Sequence, residues 1–159
     1  MGGYASGGKM AFKLSQRSLD NLFGVQPALV TVVQRAIQIT KVDFGVIEGL
    51  RTEARQRELV ERGASQTMNS RHLTGHAVDL MAYIDGRASW ELNLYDDIAD
   101  AMKQEAIEQN VPLRWGGAWS VGDIRKWHGT MASAMNSYID ERRKAGRRPF
   151  IDGPHFELP

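Results

Sequence analysis

Two segments far apart in the chain carry the residue types of a metal site: Ser70-Arg71-His72-Leu73-Thr74-Gly75-His76-Ala77-Val78-Asp79 and Asp152-Gly153-Pro154-His155-Phe156-Glu157. Imidazole nitrogens and carboxylate oxygens are ordinary ligands of zinc. His72, Asp79 and His155 would give it three of them. Three protein ligands leave a coordination position open for water or substrate, the arrangement of a catalytic site and not of a structural one. A further carboxylate in the second segment could work on the bound water, so these residues point to a metal-dependent hydrolase. His72-Leu73-Thr74-Gly75-His76 has the histidine spacing of the helical zinc-protease motif. Leu73, however, stands where that motif needs glutamate, and Gly75 weakens a helix. The path from His72 to Asp79 instead reads as a turn followed by a strand. Each of the three residues alone is more often a surface or hydrogen-bonded group than a ligand, and only their joint context raises them. His76 and His128 are the spare histidines, read as packing on the Val78 side and as polarity before a helix.

Composition narrows the rest. With 20 basic and 19 acidic residues among 159, no global field favours nucleic acid or a membrane surface. Cysteine is absent, which removes thiolate zinc sites, disulfides and cysteine nucleophiles together. The length suits one domain with a core large enough to need no staple. No apolar run approaches the roughly 20 residues of a membrane span. The start of the chain lacks a secretory pattern, so a soluble protein made in the cytoplasm is expected. Met1 to Lys9 is Gly-rich and precedes Met10. It reads as a leader or expression tag, 1–9, ahead of a catalytic domain, 10–159, and not as the loose myristoylation match it also makes.

The elements that must position the site follow from local pattern. Ser15 to Phe23 reads as a short helix and Pro27 to Ile39 as a longer one, with proline in its first turn and Leu29, Val33, Ala36 and Ile37 on one stripe. Val42 to Ile47 is rich in branched and aromatic residues and reads as a strand. Thr52 caps a charged helix, Glu53 to Arg62, ended by Gly63. A polar loop, Ala64 to Arg71, then delivers the chain to His72. Gly75 to Tyr83 reads as a buried strand whose alternation puts Ala77 and Asp79 on one face and His76, Val78 and Leu80 on the other. A helix from Trp90 to Gln109, a strand Leu113 to Trp115, and a helix from Met131 to Gly146 complete the order.

Ser70-x-His72-x-x-Gly75-x-Ala77-x-Asp79, then Trp115-Gly116-Gly117, then Asp152-x-Pro154-His155-Phe156-Glu157, resembles the zinc peptidase family that unites D-alanyl-D-alanine carboxypeptidases with phage L-alanyl-D-glutamate endopeptidases. The resemblance runs from about Phe12 to Leu158. Glu48-Gly49-Leu50-Arg51-Thr52 ahead of a charged helix is most similar to the phage endolysin branch. It implies a single α+β domain of the hedgehog and D,D-peptidase kind: a small antiparallel sheet carries the site on one face, and helices pack on the other. By motif position it makes His72, Asp79 and His155 the ligands of one zinc ion and Asp152 the general base. Arg51 would be partner to the oxyanion or to a substrate carboxylate, or an ordinary exposed arginine.

Ser70 is expected to bond substrate, orient the His72 loop or simply form a turn. Glu157 is expected to orient a ligand imidazole or to end a strand in solvent. Trp115 and Trp119 would wall the groove or sit in the core. Where many relatives carry Asp, this chain has Ala118, so no carboxylate acts there. The implied activity is hydrolysis of the L-alanyl-D-glutamate bond in the peptidoglycan stem peptide during phage lysis. The protein would be a monomer without nucleic-acid partner, membrane anchor or separate wall-binding module. It would be held in the host cytoplasm until a permeabilising protein admits it to the wall. A D,D-carboxypeptidase or dipeptidase with the same zinc chemistry, and a zinc-containing binding protein without catalysis, are the alternatives. The dense basic run Arg142, Arg143, Lys144, Arg147 and Arg148 complements a helix C-terminus or attracts anionic polymers.

Overall fold

A computed structural model describes residues 11–159, so the leader at 1–9 lies outside the described residues. Helix α1 (Gln16–Asn21) starts at Ser15, whose hydroxyl accepts the Ser18 N–H. Helix α2 (Pro27–Ile39) has proline in its first turn and buries Leu29, Val32, Val33, Ala36 and Ile37. Strand β1 (Asp43–Glu48) precedes α3 (Glu53–Glu61), capped by Thr52. Strand β2 (Ala77–Ile84) follows, with β3 (Arg87–Ser89), α4 (Leu92–Gln109) and β4 (Arg114–Trp115) after it. Thr130 caps α5 (Met131–Lys144), and β5 (His155–Glu157) ends the order.

The strands form one antiparallel sheet in the order β1-β2-β5-β4. One edge of β2 pairs with β1, and β5 and β3 divide the other. Alternation then sorts the faces. Val78, Leu80 and Ala82 join Phe44, Val46 and Phe156 in the core, which α2, α4 and α5 close with Leu29, Ile98, Met102, Met131 and Ala134. Asp79, His155 and Glu157 fall on the opposite face. This is the expected α+β arrangement, with α3 departing from the other helices to flank the site through Gln56 and Leu59.

Two local differences have simple causes. The chain does not pass from β2 straight to a helix at Trp90: Asp85 and Gly86 take positive φ of 51° and 78° and fold β3 back on β2. Aspartate-glycine is suited to this two-residue turn because both positions need left-handed backbone. The loop that reaches His72 tightens into one 3-10 turn, Arg71–Thr74.

Candidate metal centre

Asp79 and His155 are cross-strand partners in the β2–β5 ladder, so their side chains leave the sheet side by side. His72 comes from the 3-10 turn. Ser70 caps that turn by accepting the His72 N–H at 3.2 Å, and Arg51 N–H donates to the His72 carbonyl at 2.9 Å. The turn exits through Gly75 at φ +71°, where a Cβ would lie 2.4 Å from the Gly24 carbonyl oxygen. Only glycine combines that backbone with that approach.

Three donor atoms converge. His72 Nε2 and His155 Nδ1 each lie 3.2 Å from the same oxygen, Asp79 Oδ1, with ring centroids 5.2 Å apart. The far nitrogen of each ring is also occupied. His72 Nδ1 is 2.8 Å from the Gly49 carbonyl, and a carbonyl can only accept, so Nδ1 carries a hydrogen and Nε2 is the nitrogen that a neutral ring offers to a metal. His155 Nε2 is 2.8 Å from Glu157 Oε1, which reserves Nδ1. Two imidazoles with opposite nitrogens aimed inward, plus one carboxylate oxygen, form a group that could hold a metal ion. The donor set fits zinc.

When the two inward nitrogens are protonated they donate to Asp79 instead, and those bonds set the acidities of the metal-free group. Burial raises the Asp79 carboxyl, but hydrogen bonds to His155 and His72 outweigh it and hold the group well below the usual carboxylate range. Burial lowers His155, yet its bonds to Asp79 and Glu157 win and raise it to about 9. Glu157 is raised by burial and lowered by more, through its bond to His155 and the charges of His155, Arg114 and Arg71. Asp152 goes the other way: burial, then the charge of Asp79, raises it above the effect of His155, His72 and Arg51.

Asp152 sits on the loop before β5, docked on the Gly116 backbone. Its N–H donates to the Gly116 carbonyl at 2.9 Å, and the Gly116 N–H donates to the His155 carbonyl at 2.8 Å. A Cβ at Gly116 would lie 2.3 Å from the Asp152 carbonyl oxygen. The carboxylate lines the same groove as His72, Asp79 and His155, a space of about 870 Å³. Arg51 lines it too, with three of its five donors spent: Nε and Nη2 on Glu48 at 2.9 and 2.7 Å, Nη1 on Gln56 at 2.7 Å. Nη2 is 3.7 Å from Asp79 Oδ2.

Of the two tryptophans expected to wall the groove or sit in the core, Trp115 takes the core position. It is fully buried and stacks on Phe156, and its Nε1 donates to the Gly153 carbonyl at 2.7 Å. It therefore supports the Asp152 loop from beneath and offers no surface to a substrate. Trp119 faces the groove instead, 5.4 Å from the His155 ring and stacked on Phe150. Ala118 is fully buried in the core. His76 lies outside the trio, its Nδ1 2.7 Å from Thr74 Oγ1. His128 is exposed, as is most of the basic run at the end of α5. The sequence pattern does not single out Arg71, Arg114 or Phe150, because each reaches the groove through tertiary packing, nor Gln56, which is buried and touches the site only through Arg51. Glu48 carried a signal in its spacing from Arg51.

Residues 10–159 match the family model described as phage L-alanyl-D-glutamate peptidase. The chain is 31% identical over 153 residues to the L-alanyl-D-glutamate peptidase of Escherichia phage T5, covering 94% of this chain and 99% of that one. It is 35% identical over 79 residues to the enzyme of that name from Listeria phage A118, covering 50% of this chain and 27% of that one. Among solved structures, the crystal structure of the Serratia marcescens L-Ala D-Glu endopeptidase ChiX superposes with a TM-score of 0.70 at 40% identity. That match covers 94% of this chain and 91% of the other. A family match over nearly the whole chain, joined to a sheet that presents the His-Asp-His group in an open groove, places this chain in the phage L-alanyl-D-glutamate peptidase family.

Proposed function

We propose that the chain is a zinc-dependent endopeptidase that hydrolyses the L-alanyl-D-glutamate bond of the peptidoglycan stem peptide, acting as a lysin on the bacterial wall with one zinc ion per monomer. The observation that carries this is the convergence of His72 Nε2 and His155 Nδ1 on Asp79 Oδ1, with Asp152 in the same groove. Zinc held by these three residues would supply a Lewis acid that lowers the pKa of a water to about 7 and polarises the scissile carbonyl. His72 and His155 keep their ligand lone pairs because Gly49 and Glu157 fix their tautomers. Asp152 takes a proton from the attacking water and returns it to the leaving amine. A carboxyl raised by burial suits both halves of that exchange. Arg51, held in place by Glu48 and Gln56, sets positive charge beside the trio, with two N–H groups to spare for the oxygen that gains charge in the tetrahedral intermediate. Trp119 and Phe150 give the stem peptide a flat apolar wall.

Digestion of purified peptidoglycan with and without a chelator, with the products weighed, tests this reading. Stem peptides lacking L-alanine are expected, abolished by the chelator and restored by zinc. Release of D-alanine from otherwise intact stems would make the protein a D,D-carboxypeptidase, and bound zinc without any hydrolysis would make it a binding protein.

A further inference from the structure

Three guanidinium groups line the groove, and they differ in what neutralises them. Arg51 lies against Glu48 and Asp79. Among the described residues, Arg71 and Arg114 have no carboxylate at ion-pair distance. Each is clamped on a backbone carbonyl instead. Arg71 Nε and Nη2 donate to the Leu158 oxygen at 3.2 and 2.8 Å. Arg114 Nε and Nη2 donate to the Trp119 oxygen, Nε at 3.1 Å, and the guanidinium lies over the Trp119 ring. A carbonyl fixes orientation but carries no charge to neutralise the guanidinium, and both residues are only partly exposed. In each, Nη1 has no partner among the described residues.

The two arginines share one end of the groove. Arg114 faces Glu157 across the β4–β5 pair, and Arg71 holds the residue that follows Glu157. Glu157 is itself engaged with His155. That end therefore sets two oriented guanidiniums against one carboxylate already in use, an arrangement suited to a visiting anion of planar, two-oxygen shape.

We propose that Arg71 and Arg114 form a carboxylate subsite that holds the glutamate carboxylate left free beside the scissile bond. The proposal rests on the endopeptidase reading and deepens it. A glutamate joined to alanine through its amine, and to the next residue through one carboxyl, keeps a second carboxyl that is ionised at neutral pH. Because both guanidiniums are anchored before substrate arrives, little side-chain freedom is lost on binding. A carboxamide in the same place has the same shape but no charge, and its NH2 would meet N–H donors that have no acceptor.

The test compares two synthetic stem peptides, one with the free glutamate carboxylate and one with the carboxamide. Zinc-loaded wild type, Arg71→Gln, Arg114→Gln and the corresponding lysine variants are each assayed. The wild type is expected to favour the acid in kcat/KM by about 10- to 100-fold, the scale of a hydrogen bond to a charged group. Each glutamine variant should bring the acid-to-amide ratio toward one, and lysine should restore part of it. Thermal melting identifies a variant whose fold is damaged, in which case the other arginine carries the test. Equal turnover of both peptides by the wild type overturns the subsite, as does a glutamine variant that slows both by one factor. If the wild type cuts neither peptide at the alanyl-glutamate bond, the endopeptidase reading falls and the subsite with it. Product masses separate that outcome from the others.

Discussion

Asp79 and Asp152 share one groove, yet their environments push their acidities in opposite directions. Asp79 is the oxygen on which both imidazoles converge, and their bonds keep it ionised. Asp152 is buried near that same negative charge and is raised. Two carboxyls separated in this way suit the roles of fixed anion and proton carrier that the proposed mechanism gives them. Asp152→Asn keeps the shape and the backbone bonds to Gly116 but removes the proton acceptor. Its kcat is expected to fall by about 10²- to 10⁴-fold, the range for loss of a general base, while zinc content by metal analysis stays at one per chain. Near-normal turnover in that variant would sink the assignment. Glu157→Gln tests a different link, because a neutral amide no longer draws the hydrogen of His155 to Nε2. Zinc affinity should drop by roughly 10- to 100-fold with little change in protein stability, read by competition with a chelating dye. The His72-Asp79-His155 group was legible because histidine and aspartate at those intervals have few other joint explanations. Which tryptophan walls the groove was not legible. Trp115 and Trp119 flank the same Gly-Gly pair, and only the pairing of Trp115 with Phe156 shows which one turns inward.

At the level of elements, the site depends on short pieces held by exact seating. Strand β5 has three residues, and the loop before it reaches its place by bonding to Gly116 and to Trp115 Nε1. Gly116→Ala would set a methyl 2.3 Å from the Asp152 carbonyl oxygen, a backbone atom that cannot yield without moving the loop. Overpacking of this kind costs about 1–3 kcal/mol, so a lower melting temperature should accompany a larger loss of activity. An active Gly116→Ala enzyme would show that the loop tolerates a shift. Gly63→Ala makes a useful contrast, since a methyl there meets nothing within 4 Å and any cost comes from its φ of +76° alone. Long periodic elements such as α2, α4 and β2 were legible because their apolar faces repeat. Three-residue strands like β3 and β5 carry too little pattern to be read, whereas β4 falls inside the strand expected at Leu113 to Trp115. Strand β5 exists through partners distant in sequence, on β2 and β4, whereas β3 pairs locally with β2 through the Asp85-Gly86 turn.

Over the whole molecule the charges nearly cancel, with 20 basic against 19 acidic residues, so self-repulsion is a weak lever on stability near neutral pH. The pH dependence then comes from individual displaced groups, a feature that composition alone cannot reveal because it depends on which acids the fold crowds together. Asp96 on α4 is such a group. Partial burial, then the neighbouring charges of Asp97 and Asp100, raise it to about 6 from an ordinary value of 3.8. Below about pH 4 it is protonated in folded and unfolded chains alike and contributes no pH-dependent difference. Between those two values the folded chain holds a proton that the unfolded chain gives up. The balance therefore shifts toward unfolding as pH rises, and the full penalty is present above about 6. Asp96 is not among the residues lining the groove, so its effect can be separated from metal binding. Asp96→Asn removes the ionisation but keeps the size. Its melting temperature should exceed that of the zinc-loaded wild type at pH 7.5, and the gap should close as the pH falls from about 6 toward 4. A gap of constant size across that range would assign the effect to packing of the amide, and a wild type more stable than the variant at pH 7.5 would show that α4 accommodates the charge.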